Sequence, residues 1–151
     1  MALKDDILLF SRLSIFQGLS EEHLRLLAFG AERRRLEKGH VLFRQGAAAD
    51  SAFVVTKGHL KLTMHAPRGG EKLVDEAGPG AILTEIAMIA DAERHFTATA
   101  TEESEVIRIS RVLFHRMLEE YPEVAVTVER RLRESFTRMM QQVADKAAKL
   151  V

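Results

Sequence analysis

The chain has 151 residues, 46% hydrophobic and 29% charged, which suits one globular domain with an appended element rather than two cores. Lysine plus arginine total 22 and aspartate plus glutamate total 22, so no basic surplus marks a free-standing nucleic-acid binder. With no cysteine, disulfide scaffolds and thiolate chemistry are excluded, and aromatics at 6% with no tryptophan leave little to stack single strands on.

Leu3, Ile7 and Leu8 open the chain at helical spacing. The run Ile7 to Phe10 follows Asp5 and Asp6 and is too short for a signal-peptide core. No stretch approaches the roughly 18 apolar residues of a membrane span, so a cytoplasmic protein without membrane contact is expected. A second helix starts at Ser20 as N-cap, with Glu21 and Glu22 in its first turn and His23 at the third position. Phe16 can pack back on it.

From about Ala31 the period becomes two and glycines punctuate it. Strands are predicted at 41–43, 52–55, 60–64, 72–74, 96–100 and 105–109. Lys38-Gly39, Gln45-Gly46, Lys57-Gly58 and Gly69-Gly70 are the turns between them, the last a hairpin tip. The charge run Glu32-Arg33-Arg34-Arg35 reads as a solvated strand or edge face. Short strands at this spacing indicate a jelly roll or small barrel.

Ser110 caps a helix through Leu113, Phe114, Met117 and Leu118, and Pro122 fits the first turn of another. That last helix runs to the C-terminus, about 42 Å at 1.5 Å per residue. Its apolar stripe is Ala125, Val128, Leu132, Phe136, Met139, Val143, Ala147 and Leu150, opposite Glu129, Arg130, Arg133, Glu134, Arg138 and Lys146. A partner helix in a homodimer is the expectation from that stripe, with a lid folded over the barrel as the alternative. The boundaries read as N-terminal helices 1–29, jelly roll 30–109 and a helix 110–121, together one domain over 1–121, then the long helix 122–151.

The stretch from Gly78 to Ala100 carries the chemistry. It reads as strand, tight loop, short helix, loop, strand. The amides opening a short helix can meet an anion, and Arg94, nine residues after Glu85, can close on it with a forked contact. Glu85 can accept from a sugar hydroxyl. Alternatively Glu85 caps the helix while Arg94 pairs with Glu85 or Asp91.

This stretch resembles the phosphate-binding cassette of cyclic nucleotide-binding domains, as in the catabolite-activator and FNR-type bacterial regulators and the kinase regulatory subunits. The resemblance covers essentially the whole chain, through Leu13 to Leu19, Lys38-Gly39, Leu42-Phe43, Gln45-Gly46, Ala49-Asp50, Val54-Val55, Gly58, Gly78-Pro79-Gly80, Glu85, Ala87, Arg94 and Phe114. It implies a mainly β fold with flanking helices: an eight-stranded jelly roll (double-stranded β-helix), N-terminal helices and a long C-terminal dimerisation helix. It implies that Glu85 binds the ribose, that amides at Ile86 and Ala87 and the side chain of Arg94 meet the cyclic phosphate, and that the last helix covers the base.

The pattern departs inside the pocket. Thr84 stands where glycine is usual, adding a branched side chain, and His95 and Phe96 replace a small hydroxyl residue and alanine. His95 either offers an imidazolium to the anion or fills the pocket. Met139 and Met140 are nearest to meet a base and give no hydrogen bond to read it. Nothing resembles a DNA-recognition helix, so no DNA binding is expected of this chain alone. The six histidines form no His-x-His metal group of the cupin kind, exposed positions explaining them more simply, and no G-x-S-x-G is present.

The sequence thus implies a non-catalytic sensor module without a cofactor. Its ligand would be cyclic AMP (cAMP) or cyclic GMP (cGMP), and it would signal through its last helix to a second copy or to a protein partner. The alternative is a degenerate pocket blocked by Thr84, His95 and Phe96, serving as a ligand-independent dimerisation or adaptor domain.

Overall fold

The computed structural model describes residues 2–148, except for the side chains of residues 2, 146 and 147. Helix α1 (Ala2–Ser11), a 3₁₀ turn (Ser14–Phe16) and α2 (Glu21–Gly30) precede the strands. At the start of α2 the Ser20 hydroxyl accepts from the His23 N–H at 3.3 Å, while the Ser20 N–H donates to His23 Nδ1 at 2.9 Å. This is a capping box with an imidazole where glutamate is usual, and it satisfies two otherwise orphaned donors. His23 is accordingly buried, with its ring against Tyr121, and not on an exposed helix face as expected.

Ten strands follow: β1 (Glu32–Leu36), β2 (Val41–Phe43), β3 (Ala48–Ala49), β4 (Ser51–Lys57), β5 (Leu60–His65), β6 (Glu71–Ala77), β7 (Ile82–Leu83), β8 (Ala92–Glu93), β9 (Thr97–Ala100) and β10 (Ser104–Ser110). Eight form two four-stranded antiparallel sheets, ordered β1-β10-β4-β7 and β2-β9-β5-β6. The short pairs β3 and β8 form a separate ladder. The fold is therefore a mainly β jelly roll, with the extra ladder the one addition to the eight expected strands. The arginine-rich run is edge strand β1, its outer residues in solvent.

The apolar core has two parts that meet across β4 and β10. Phe53, Val55 and Val106 point into the barrel with Leu36, Phe43, Leu60, Leu62, Leu83 and Phe96. Ala52, Val54, Ile107 and Ile109 point outward to a cluster with Phe10, Phe16, Leu27, Phe114, Met117 and Leu132. Strand side chains alternate, so a strand covered on both faces must be apolar at successive positions. That is why Ala52-Phe53-Val54-Val55 breaks the period-two pattern.

Ser110 caps α3 (Arg111–Glu120) by accepting from the Leu113 N–H at 3.1 Å, and α4 (Pro122–Ala148) begins at the proline. The stripe on α4 is covered largely by the chain itself. Val128 and Leu132 are 1% and 0% exposed in the helical cluster, and Met139 and Val143 face β6. The first half of the stripe is thus taken up by the helical cluster of the same chain, whereas Phe136, Met139 and Val143 are only half-buried. Residues 147 and 150 of that stripe lie outside the described side chains.

Gly58 joins β4 to β5 at φ +84°, and a Cβ there would clash with Ser104 Oγ and sit 2.6 Å from the Ser104 Cα. Gly69, at φ +95° in the exposed hairpin, has open space around it. Gly58→Ala should therefore destabilise by about 2–4 kcal/mol and Gly69→Ala by only ~1 kcal/mol. Chemical denaturation of the two variants measures the difference; equal losses would show that backbone strain alone, and not contact with Ser104, makes Gly58 necessary.

Candidate functional site

The cassette hangs from β4. Gly80 donates its N–H to the Val55 carbonyl at 2.8 Å, the Val55 N–H donates to Ala81 at 2.9 Å, and β7 continues the pairing as Phe53↔Leu83. The chain then reverses at Thr84, which has φ 59° and ψ 45° and is the one non-glycine residue with positive φ among the described residues. A β-branched side chain in the left-handed region costs roughly 1–2 kcal/mol, and it persists because its surroundings bury it. Thr84 thus adds backbone strain to the extra bulk expected of it. A four-residue 3₁₀ turn (Glu85–Met88) follows directly.

Of the two amides expected to meet an anion, that of Ala87 already donates to the Thr84 carbonyl at 3.0 Å. Ile86 is buried at the start of the turn, between the core and the α4 side.

Glu85 lines a cleft of about 320 Å³ between the barrel and α4. Its walls are Leu62, Phe96 and the β6 residues Val74 to Ala77 on one side, and Ser135, Arg138, Met139, Gln142 and Val143 of α4 on the other. Glu85 is 6% exposed, and its Oε1 accepts from the Ser135 hydroxyl at 3.1 Å. Burial pushes its carboxyl above the usual range, with the Ser135 bond, its own N–H and nearby Arg138 pulling the other way. An aliphatic hydroxyl thus already occupies the acid that the sequence assigned to a sugar hydroxyl.

Arg94 does not line this cleft. It is 5% exposed inside the barrel, donating from Nη1 to the Ser51 carbonyl at 2.9 Å and from Nη2 to Ser51 Oγ at 3.2 Å. Its guanidinium carbon lies 4.5 Å and 5.2 Å from the ring centres of Phe43 and Phe53, a cation–π arrangement. Burial lowers its pKa to about 10, opposed by the charge of Asp50, so the group stays cationic at neutral pH. The alternative pairing of Arg94 with Glu85 or Asp91 is not what forms: Ser135 holds Glu85, and Arg111 Nη1 holds Asp91 at 2.9 Å.

His95 and Phe96 point to opposite sides, as neighbours entering a strand do. Phe96 lines the cleft and packs edge-on to Phe43, with ring centres 5.9 Å apart. His95 lies outside it, 5.8 Å from Phe136 of α4. It therefore neither fills the cleft nor faces an anion within it. Met139 lines the cleft as expected; Met140 does not.

The cleft residues that sequence reasoning missed are the wall on β5, β6 and β7 and the polar residues of α4. Ser135, Arg138, Met139 and Gln142 follow the i, i+3, i+4, i+7 rule from Ser135 and share a face. Met139 alone was recognised, since hydrophobicity was the only guide to which face turned inward, and Arg138 was assigned to solvent.

The chain belongs to the cyclic nucleotide-binding domain family, whose profile matches residues 33–121. Among solved structures it is similar to a cyclic nucleotide-binding-like protein from Brucella abortus, at 45% identity and a TM-score of 0.71, covering 76% of this chain and 98% of that one. It is 26% identical over 141 residues to the CRP-like cAMP-activated global transcriptional regulator of Mycobacterium tuberculosis, covering 93% of this chain and 62% of the regulator. It is also 28% identical over 121 residues to a lysophospholipase of Neurospora crassa, covering 78% of this chain but 8% of that enzyme. The chain therefore spans less than two thirds of these two curated relatives. Among the described residues no helix is long and apolar enough to cross a membrane, and no group of three or more His, Asp or Glu side chains could hold a metal ion.

The raised Glu85 carboxyl links stability to pH. Below its ordinary value of 4.5 both native and unfolded chains are protonated there and the group is neutral to stability. As pH rises the unfolded chain ionises first, and the fold loses stability until native Glu85 has ionised as well. Glu85→Gln should therefore melt above the wild type at pH 7, with the two melting temperatures converging as pH falls toward 4.5. Thermal melts across that range check it; a constant offset at every pH would remove Glu85 as the titrating group.

Proposed function

We propose that this domain is a non-catalytic sensor taking a cyclic purine mononucleotide, cAMP or cGMP, in the cleft between the jelly roll and α4. The observation that carries the reading is the buried Glu85 carboxylate, held by the Ser135 hydroxyl of α4. A ribose hydroxyl offers the same donor, so a nucleotide competing for Glu85 would displace Ser135 and change the seating of α4. Binding and output then share one hydrogen bond. A phosphate held in that cleft meets Arg94 only if the guanidinium gives up its bonds to neutral Ser51, which leave it without a direct carboxylate contact, and turns from the barrel interior toward the ligand. That exchange would give the buried cation a charge-assisted partner in place of neutral acceptors.

The names of the relatives support the ligand class. The similar regulator of M. tuberculosis is described as cAMP-activated, and a kinase regulatory domain from Toxoplasma gondii, alike in fold at a TM-score of 0.71, is described with cAMP. Titration calorimetry with cAMP and cGMP tests the proposal. Wild type is expected to bind one of them at micromolar to millimolar concentration, and Arg94→Ala to abolish the heat by leaving the phosphate charge unpaired. No heat and no thermal shift at millimolar ligand would sink it.

Arg94's place inside the barrel and the strained Thr84 favour a second reading, a ligand-independent adaptor. It predicts the same melting temperature with and without either nucleotide.

For output we propose the outward face of α4 and a second copy of the chain. Val126 is 76% exposed there, beside Glu129, Arg130, Arg133 and Glu134, whose mixed signs allow pairing between like helices. Sedimentation velocity should show a dimer that Val126→Glu dissociates. A monomer at high concentration, with and without nucleotide, would exclude this seam.

A further inference from the structure

Arg111, the first residue of α3, lies outside the cleft and outside every motif that suggested the site. Its guanidinium reaches three parts of the chain that the fold brings together. Nε donates to the Ala87 carbonyl at 2.9 Å, Nη2 to the Ala49 carbonyl at 2.8 Å, and Nη1 to Asp91 Oδ1 at 2.9 Å. Its own N–H donates to the Asp50 carbonyl at 2.9 Å, which fixes the base of the side chain to the same segment.

The Ala87 carbonyl stands near the end of the 3₁₀ turn, where helical carbonyls lack successors to bond them. The next donors go elsewhere: the N–H groups of Ile89 and Ala90 both donate to Ile86, at 3.0 Å and 3.1 Å. Past the turn, the chain toward Arg94 is tied to the body by the two-residue ladder Ala48↔Glu93 and Ala49↔Ala92. Arg111 therefore joins the end of the turn to the strand that holds the return limb. Glu85 and Arg94 stand at the two ends of the stretch so pinned.

We propose that Arg111 is the positioning residue of the cassette, setting where Glu85 and Arg94 stand relative to each other through its two bonds to backbone carbonyls. Guanidinium geometry is required because one planar group must serve separate acceptors in fixed directions, which an ammonium on a flexible stem does not reproduce. The Asp91 arm is dispensable: that side chain is fully exposed, at 102%, where an ion pair contributes little. The consequence for ligand affinity rests on the nucleotide-sensor reading above; the consequence for cassette order does not.

The test compares Arg111→Ala, Arg111→Lys and Asp91→Asn in the full chain by amide hydrogen exchange and by titration with cAMP and cGMP. Arg111→Ala should accelerate exchange at the amides of Ala87, Ile89, Ala90 and Arg94 by at least about tenfold, while amides of the β4–β10 ladder keep their wild-type rates. It should weaken nucleotide binding by about tenfold or more, the equivalent of one lost charge-assisted bond. Arg111→Lys should stay close to Arg111→Ala in both measurements, and Asp91→Asn close to wild type. Acceleration spread evenly over the ladder would show a merely structural role and overturn the proposal. So would full rescue by lysine, or an Asp91→Asn variant that behaves like Arg111→Ala. If wild type binds neither nucleotide, the sensor reading fails, and the exchange pattern still decides the role of Arg111.

Discussion

The strand β4 is buried on both faces, and the rest of the molecule is arranged around that constraint. Its inward side chains, Phe53 and Val55, complete the barrel interior, while Ala52 and Val54 complete the helical cluster. Its backbone carries β10 on one edge and β7 on the other, so the cassette is suspended from the most inaccessible strand of the domain. Each large apolar side chain buried along this axis contributes about 1.5–3 kcal/mol, and no face of the strand can be freed without losing one of the two clusters. Movement in this domain must therefore be sought in what is attached to β4.

Two attachments qualify. The cassette leaves β7 through a left-handed threonine and returns through a two-residue ladder, so it has few backbone bonds of its own. Helix α4 is anchored by Val128 and Leu132, whereas its second half borders a cleft. The Glu85–Ser135 contact bridges these two parts. A carboxylate is costly to bury, and the Ser135 hydroxyl, its own N–H and nearby Arg138 compensate it incompletely, so burial outweighs them in setting its pKa. A group held at such cost in a cleft is well placed to exchange its partner, whereas an acid satisfied by several fixed donors would not be.

Arg94 illustrates how far a family pattern carries. Its position in the sequence marked it as a cation for an anionic ligand, and nothing in the spacing suggested Ser51, forty-three residues away, as its partner. The pair of rings against which it lies, Phe43 and Phe53, is likewise a product of the barrel's closure. The family pattern places both His95 and Phe96 in the pocket, at its small hydroxyl and alanine positions, yet strand alternation sends them to opposite sides once the register is set. Arg111 was illegible for a different reason: a charged residue opening a helix reads as solvated until three acceptors converge on it.

What the sequence determined by itself was local. Ser20 and Ser110 as caps, Pro122 as a first-turn residue, the glycine turns and the alternating strands follow from backbone sterics and from hydrogen bonds within a few residues. The family pattern extended this to the eight-stranded jelly roll and to the candidate importance of Glu85. Tertiary structure decided which face of each element was covered and by what. An apolar stripe records that burial is needed and carries no record of the partner, and only the tertiary structure showed that Val128 and Leu132 of α4 are covered by the helical cluster of the same chain. The length suggested one domain with an appended element; only the tertiary structure showed that the first half of that element, through Val128 and Leu132, is part of the domain's helical cluster.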